Sequence, residues 1–219
     1  MMENKRRLLK EKIKEVVLEV IREEELLVPI GVSNRHIHVT REDMDILFGK
    51  DCNLTKFKDL KQPGQYAAKE TVKIFTQKGS IENVRILGPL RDKTQIEISI
   101  TDSYKLGLRI PVRESGKLEG SSSITIEGPK GRVEKSEGVI AALRHIHMPL
   151  SIANLYGFKD KEVVDVEVGE VRRTVLKNVL LRVSDKYALE MHLDTDEANS
   201  CGVKNGDMAR ILRAKGNGG

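Results

Sequence analysis

Histidine in this chain is confined to three short segments, Arg35-His36-Ile37-His38-Val39, Arg144-His145-Ile146-His147-Met148 and Glu190-Met191-His192-Leu193, which together hold all five. That spacing constrains the backbone. Residues two apart in a strand point to the same face, so each His-Ile-His presents two imidazoles side by side. Imidazole is a preferred ligand for Zn, Cu, Ni or Fe. Two such pairs and one further histidine point to a metal centre, binuclear in its fuller form. Hydrogen-bonded core or surface histidines are the alternative. They account for most single histidines, but poorly for two copies of one motif carrying four of the five.

The three segments also resemble an internal repeat. His38 leads to Gly49, His147 to Gly157 and His192 to Gly202, at spacings of 11, 10 and 10 residues. Thr40, Ser151 and Thr195 are candidate N-caps, and each glycine suits a left-handed position at the end of a short helix. The unit reads as strand, one or two helical turns, next strand.

Around these units the text is mostly β. Val28–Val32, Thr71–Phe75, Val84–Leu87, Gln95–Ile100, Ser123–Ile126, Val163–Val168, Val179–Val183, Ala188–Met191 and Ala209–Leu212 are short, often alternating runs punctuated by Gly, Pro and Asp. Many short strands at regular spacing predict barrels or sandwiches. Residues 50–69 are polar and turn-rich, as a flap or lid would be. The Gly-rich end beyond residue 212 should fray.

A chain of 219 residues can bury one large core or two small ones. No apolar run approaches the roughly 18 residues of a membrane span, and the start lacks a secretory signal's apolar core. Two cysteines, Cys52 and Cys201, make no disulfide framework. Cys201 reads better as a buried, inert thiol than as a ligand or nucleophile. The expected location is the cytoplasm. A net charge of +5 favours an anionic partner. Aromatic content of 4% with no Trp leaves few stacking platforms for nucleic acid. No common nucleotide cradle is present, so a phosphate or a phosphorylated cofactor suits the charge better.

Residues 1–27 form a separate amphipathic helix. Leu8, Leu9, Ile13, Val16, Val17, Val20 and Ile21 share one stripe. Lys5, Arg6, Arg7 and Lys10 near its start and Glu23, Glu24 and Glu25 at its end oppose the helix dipole. The stripe needs a cover, either this chain's own body or another protein. Two further residues stand out. Arg91 follows the turn Leu87-Gly88-Pro89-Leu90. Glu97 faces away from Ile96 and Ile98, either as a solvated residue or as a carboxylate completing a metal site.

The blocks Val28–Val39, Ile86–Arg91, Arg144–Pro149 and Glu190–Asp194, in this order and spacing, resemble the PduL-type phosphate acyltransferases (phosphotransacylases, phosphate propanoyltransferases) over about residues 28–212. The resemblance implies a reversible reaction of acyl-CoA with inorganic phosphate to give acyl phosphate and CoA. It implies two zinc ions, one held by His36, His38 and Glu97 and the other by His145, His147 and His192, with Arg91 binding phosphate. Its coenzyme A contacts would fall on Val32, Ser33, Asn34, Lys78, Arg85 and Asn199. Its fold is mainly β, with two β-barrels and short capping helices. One barrel would be built from 28–34 plus 143–212 and the other from 35–48 plus 70–142, with 49–69 as a lid and 213–219 as a tail. In some members of the family an N-terminal amphipathic segment directs the enzyme into bacterial microcompartments, which gives the helix over 1–27 a candidate shell partner beside self-association.

Three protein ligands per ion leave open positions, as catalytic zinc requires. Phosphate would attack the thioester directly, with no Ser or Cys nucleophile, oriented by zinc and Arg91. Two other classes use the same residues: a di-metal hydrolase with water as nucleophile, and a metal-dependent binding protein without turnover.

Overall fold

A computed structural model describes residues 2–212. The expected tail over 213–219 lies outside the described residues. The chain opens with α1 (Met2–Glu23), β1 (Leu26–Ser33), β2 (His36–His38), α2 (Arg41–Phe48), β3 (Lys56–Asp59), β4 (Tyr66–Phe75) and β5 (Ser80–Gly88). It continues through β6 (Gln95–Glu97), α3 (Ile100–Lys105), β7 (Val112–Arg113), β8 (Ser122–Glu127) and β9 (Arg132–Ala142). The last part holds β10 (His145–Pro149), α4 (Leu150–Tyr156), β11 (Val163–Val168), β12 (Thr174–Ser184), β13 (Glu190–Asp194), α5 (Thr195–Cys201) and β14 (Met208–Leu212).

These strands close two six-stranded barrels. Barrel one runs β1-β13-β10-β12-β11-β14 and back to β1. Barrel two runs β9-β6-β2-β5-β4-β8 and back to β9, with β3 and β7 appended. Matched strand for strand in these orders, the two are one design. In each, the His-x-His strand lies parallel to one neighbour (β12 or β5) and antiparallel to the other (β13 or β6). That second neighbour is itself parallel to β1 or β9. The remaining pairings are antiparallel in both. In barrel two the β9 equivalent comes last in the chain; in barrel one its counterpart β1 comes first.

The faces turned away from the histidines hold the frame together. Ile37, Ile86, Ile96 and Val139 pack in barrel two, and the register-equivalent Ile146, Leu181, Met191 and Ile30 in barrel one. None is more than 1% exposed, and burying each such side chain stabilises by roughly 1.5–3 kcal/mol. A strand with one face locked into a core cannot slip by one residue without exposing it, so the imidazoles are held on the opposite face.

Local chemistry ends each strand. Thr40 Oγ1 accepts the amide of Asp43 at the start of α2. Asp194 accepts that of Glu197 at α5. The cap therefore lies one residue before Thr195, and the N-cap of α4 is Pro149, which offers no side-chain bond, so Ser151 sits inside the first turn. Gly157 and Gly202 adopt the left-handed conformation, whereas Gly49 does not. The strand expected over Gln95–Ile100 stops at Glu97, because Ser99 Oγ accepts the Asp102 amide and starts α3. Gly107, at positive φ, closes this turn ten residues after Glu97. The β6–α3 unit is thus the counterpart of β13–α5, a fourth copy of the repeat with glutamate where the third has histidine.

The arginine before each His-x-His clamps these units together. Arg35 Nε lies 2.8 Å from Asp102 Oδ2, and Arg144 Nη1 lies 2.8 Å from Glu197 Oε1. Both acids sit three residues after the helix cap.

The expected lid is a β-hairpin arm built on β3 and the start of β4. Arg85 holds its base, donating from Nη1 to the Ala68 and Lys69 carbonyls at 2.9 Å and stacking over Phe57. Helix α1 meets the body at α4, where Arg22 lies against Gly157. Leu8, Leu9, Ile13, Val16, Val17 and Val20 remain 49–59% exposed and Ile21 is half-buried, so the described residues leave most of the stripe uncovered. No helix of the described residues is long and apolar enough to cross a membrane.

Candidate active site

The antiparallel register delivers the third member of each triad. His36 stands directly opposite Glu97 across β2 and β6, and His145 directly opposite His192 across β10 and β13. In each group the ligand atoms of His36, His38 and Glu97, or of His145, His147 and His192, lie within 4.8 Å of one another. All six residues line one cavity of about 530 Å³ between the barrels.

Backbone carbonyls orient the rings. His36 Nδ1 is 2.8 Å from the Asn34 oxygen, His145 Nδ1 is 2.8 Å from the Leu143 oxygen, and His38 Nδ1 is 3.3 Å from the Leu87 oxygen. A carbonyl only accepts, so these Nδ1 atoms carry the proton and the Nε2 lone pairs face the cavity, the arrangement of metal-ligating histidine. His145 Nε2 and His147 Nε2 approach to 3.1 Å, and His36 Nε2 and Glu97 Oε2 to 3.4 Å. Tetrahedral zinc with Zn–N of about 2.0–2.1 Å sets its ligand atoms roughly 3.3 Å apart, a spacing that one pair in each triad matches. The buried Nδ1 of His147 has no hydrogen-bond partner among the described residues.

Electrostatics keep the ligands in their binding forms. Burial first, then the neighbouring His36 and Arg91, pushes His38 down to about 3. Burial with His192 lowers His145 to about 4, and burial with His145 and His192 lowers His147 to about 2. All three are neutral at pH 7. Burial would raise Glu97, but His36, His38 and the Ser115 hydroxyl outweigh it and bring the carboxyl down to about 2.

Each triad has an outer support. Gln95, opposite His38, donates to Glu97 and to Ser115, and Ser115 donates to Glu97 Oε1 at 2.8 Å. Glu190, opposite His147, accepts from His192 Nε2 at 2.8 Å and from Gln62 Nε2 at 3.0 Å. Gly31 makes room for it, since a Cβ there would lie 2.7 Å from Glu190 Oε1. Gln62 sits on the hairpin arm and also bonds both backbone groups of Ala188, so the arm is tied to barrel one.

Arg91 also lines the cavity, its amide pinned to the Val39 carbonyl at 2.9 Å. Burial lowers its pKa, and Arg182 pushes the same way. Val32, Ser33, Asn34 and Arg85 line the cavity. Exposed Lys78 sits in another depression beside Leu106 and Gly107, and Asn199 is exposed on α5, so neither lines the cavity. Cys201 is buried in the core of barrel one. Arg182, Tyr187, Gln62, Ser115 and Glu190 line the site without having been singled out from sequence. Only Glu190 carried a signal, since it lies two residues before His192 in the third histidine segment.

Residues 29–204 match the family model described as phosphate propanoyltransferase. A phosphate propanoyltransferase of Thermotoga maritima is 53% identical, over 92% of this chain and 95% of that protein. One of Rhodobacter capsulatus is 52% identical over 85% of this chain and 87% of its own length. One of Clostridioides difficile is 47% identical over 94% and 98%. Two histidine-rich triads on a duplicated barrel thus coincide with a match over most of the sequence, and the chain belongs to the phosphate propanoyltransferase family.

Proposed function

We propose that this chain transfers a short acyl group between coenzyme A and inorganic phosphate in the cavity between its barrels, with a zinc ion at each triad. The observation that carries this reading is the convergence of both triads and Arg91 on one cavity. His36, His38 and Glu97 would hold one ion, and His145, His147 and His192 the other. Zinc bound there supplies Lewis-acid stabilisation of charge developing on oxygen or sulfur.

The protein's own groups do the positioning. Arg91 offers a planar fork to the phosphate dianion. Val32, Ser33 and Asn34, where β1 ends at the cavity, are the proposed coenzyme A contacts, with Arg85 beside them. Lys78 and Asn199 can contribute only to parts of the cofactor outside the cavity. A phosphate oxygen attacks the thioester carbonyl carbon, and collapse of the tetrahedral adduct breaks the C–S bond and releases the CoA thiolate. Fixing both reactants in one cavity supplies orientation. Direct attack suits the thiols, since Cys201 is buried in a core and Cys52 does not line the cavity. The uncovered stripe of α1 favours a second chain as its cover, either a microcompartment shell protein or another copy.

Thiol release from propanoyl-CoA tests the reading. It should require inorganic phosphate and yield propanoyl phosphate in equal amount. Equal thiol release in phosphate-free buffer would identify a thioester hydrolase instead.

A further inference from the structure

Barrel one also contributes a guanidinium to the cavity. Arg182 on β12 stands in register with His147 and lines the same cavity as Arg91. Its one side-chain hydrogen bond among the described residues is a long one, 3.4 Å to the Tyr187 hydroxyl, with the guanidinium 5.8 Å over that ring. Tyr187 in turn packs edge-on against His147, with centroids 4.3 Å apart. Among the described residues neither Arg182 nor Arg91 has an ion-pair partner within 4.0 Å, although both are half-buried. The cavity's carboxylates are already engaged: Glu97 by Gln95 and Ser115, Glu190 by His192 and Gln62.

Partly burying a guanidinium without an ion-pair partner costs free energy, and the two on this cavity repel each other. Packing does not require the arginine. In the duplicated frame Arg182 occupies the place of Leu87, one step along β5 from the Ile37–Ile86 pair. The reverse exchange puts Arg85 where barrel one has Leu180, and Nη1 of Arg85 is engaged in holding the arm. Two free positive charges, one from each barrel, are matched by a compact dianion.

We infer that Arg182 is a second phosphate-binding residue, closing with Arg91 on the phosphoryl group that is transferred, with Tyr187 positioning its guanidinium. The identity of the anion rests on the acyl-transfer reading; the two-arginine anion site does not. The other phosphate source is coenzyme A itself, and the test separates the two.

The zinc-loaded full-length enzyme and its Arg182→Gln and Arg182→Lys variants are compared in both directions. Arg182→Gln should raise the KM for inorganic phosphate and for propanoyl phosphate about 10- to 100-fold, the range of a lost charge-assisted hydrogen bond. The KM for propanoyl-CoA should move less than about twofold. Arg182→Lys should recover part of the loss, because it restores charge without the fork. Inorganic phosphate alone should raise the melting temperature of the wild type and not that of Arg182→Gln, at equal zinc content. An unchanged phosphate KM and thermal shift in a folded variant would overturn the proposal while leaving acyl transfer standing, as would a rise confined to the propanoyl-CoA KM. If the wild type forms no acyl phosphate yet its phosphate-induced shift depends on Arg182, the anion site stands and the acyl-transfer reading fails.

Discussion

The two half-sites share a frame and differ in where the carboxylate sits. In barrel two the residue opposite the first histidine is Glu97, backed by the amide of Gln95; in barrel one it is His192, backed by the carboxylate of Glu190. Each half-site therefore carries one negative side chain, within the triad in one and one bond further out in the other. A carboxylate ligand offsets the charge of a bound cation directly. A carboxylate behind an imidazole leaves the ligand neutral and raises its basicity. If each triad holds a cation, one scaffold would present two sites of different electrophilic character to one cavity, with Arg91 from one barrel and Arg182 from the other beside them.

The largest effect should come from breaking either half. His38→Ala or His147→Ala should each lower the rate of acyl phosphate formation more than about 100-fold, since losing a ligand should exceed the 10- to 100-fold cost of losing a ligand's support. An assay of both variants at saturating phosphate checks whether the two halves are equally necessary. Next comes Arg91→Ala. It should raise the phosphate KM by about 10- to 100-fold, from loss of a charge-assisted bond of about 1.5–3 kcal/mol, with zinc content unchanged.

Carboxylate placement gives a graded contrast. Glu97→Gln alters a proposed ligand, whereas Glu190→Gln alters a proposed support. Zinc affinity should fall more than about 100-fold at one centre for the first and about 10-fold at the other for the second. Competition with a chelator reads both, and equal losses would show that Glu190 is itself a ligand.

The pH response of the metal-free protein follows from the buried imidazoles. His38, His145 and His147 have folded pKa values of about 3, 4 and 2, below the free value of about 6.5. The unfolded chain therefore binds protons that the folded chain does not. Their stabilisation is complete above about pH 6.5 and is lost as pH falls toward 4, at about 1.4 kcal/mol per pH unit for each imidazole. Glu97, held down to about 2, adds its loss below the usual carboxylate range. Urea unfolding between pH 7 and 4.5 measures this slope. Zinc should be retained below the pH at which free imidazole would release it, because burial already opposes protonation.

The smallest catalytic effect should follow deletion of residues 2–22. Every proposed ligand lies outside α1, so kcat and zinc content should hold within about twofold, the scale of a perturbation below about 0.4 kcal/mol. Size-exclusion chromatography should show a change in association if another chain covers the stripe.

The histidine half of this comparison was legible because two copies of His-Ile-His stand out in a chain with five histidines, and strand periodicity alone puts each pair on one face. The short alternating runs and the amphipathic start were legible for the same reason. The fourth repeat unit was not, because Glu97 replaces the histidine that marks the other three and Ser99 interrupts what reads as one strand to Ile100. The only trace was the ten-residue spacing from Glu97 to Gly107, equal to that from His192 to Gly202. Gln62, Arg182 and Tyr187 reach the site from a hairpin arm and from β12 and the turn after it, brought there by barrel closure, which leaves no local pattern. Lys78 and Asn199, named through family resemblance, lie outside the cavity. Local periodicity carries the face of a strand; long-range pairing decides which faces meet.

Elemental analysis tests most directly whether the duplicated frame holds two separate metal centres. Zinc per chain is measured in the wild type, in a His36→Ala, His38→Ala double variant and in a His145→Ala, His147→Ala double variant, with folding checked by circular dichroism. The expected result is about two equivalents in the wild type and about one in each variant, for one ion per three-ligand site. A wild type that is fully active without bound transition metal, or folded variants that each keep the full complement, would contradict it.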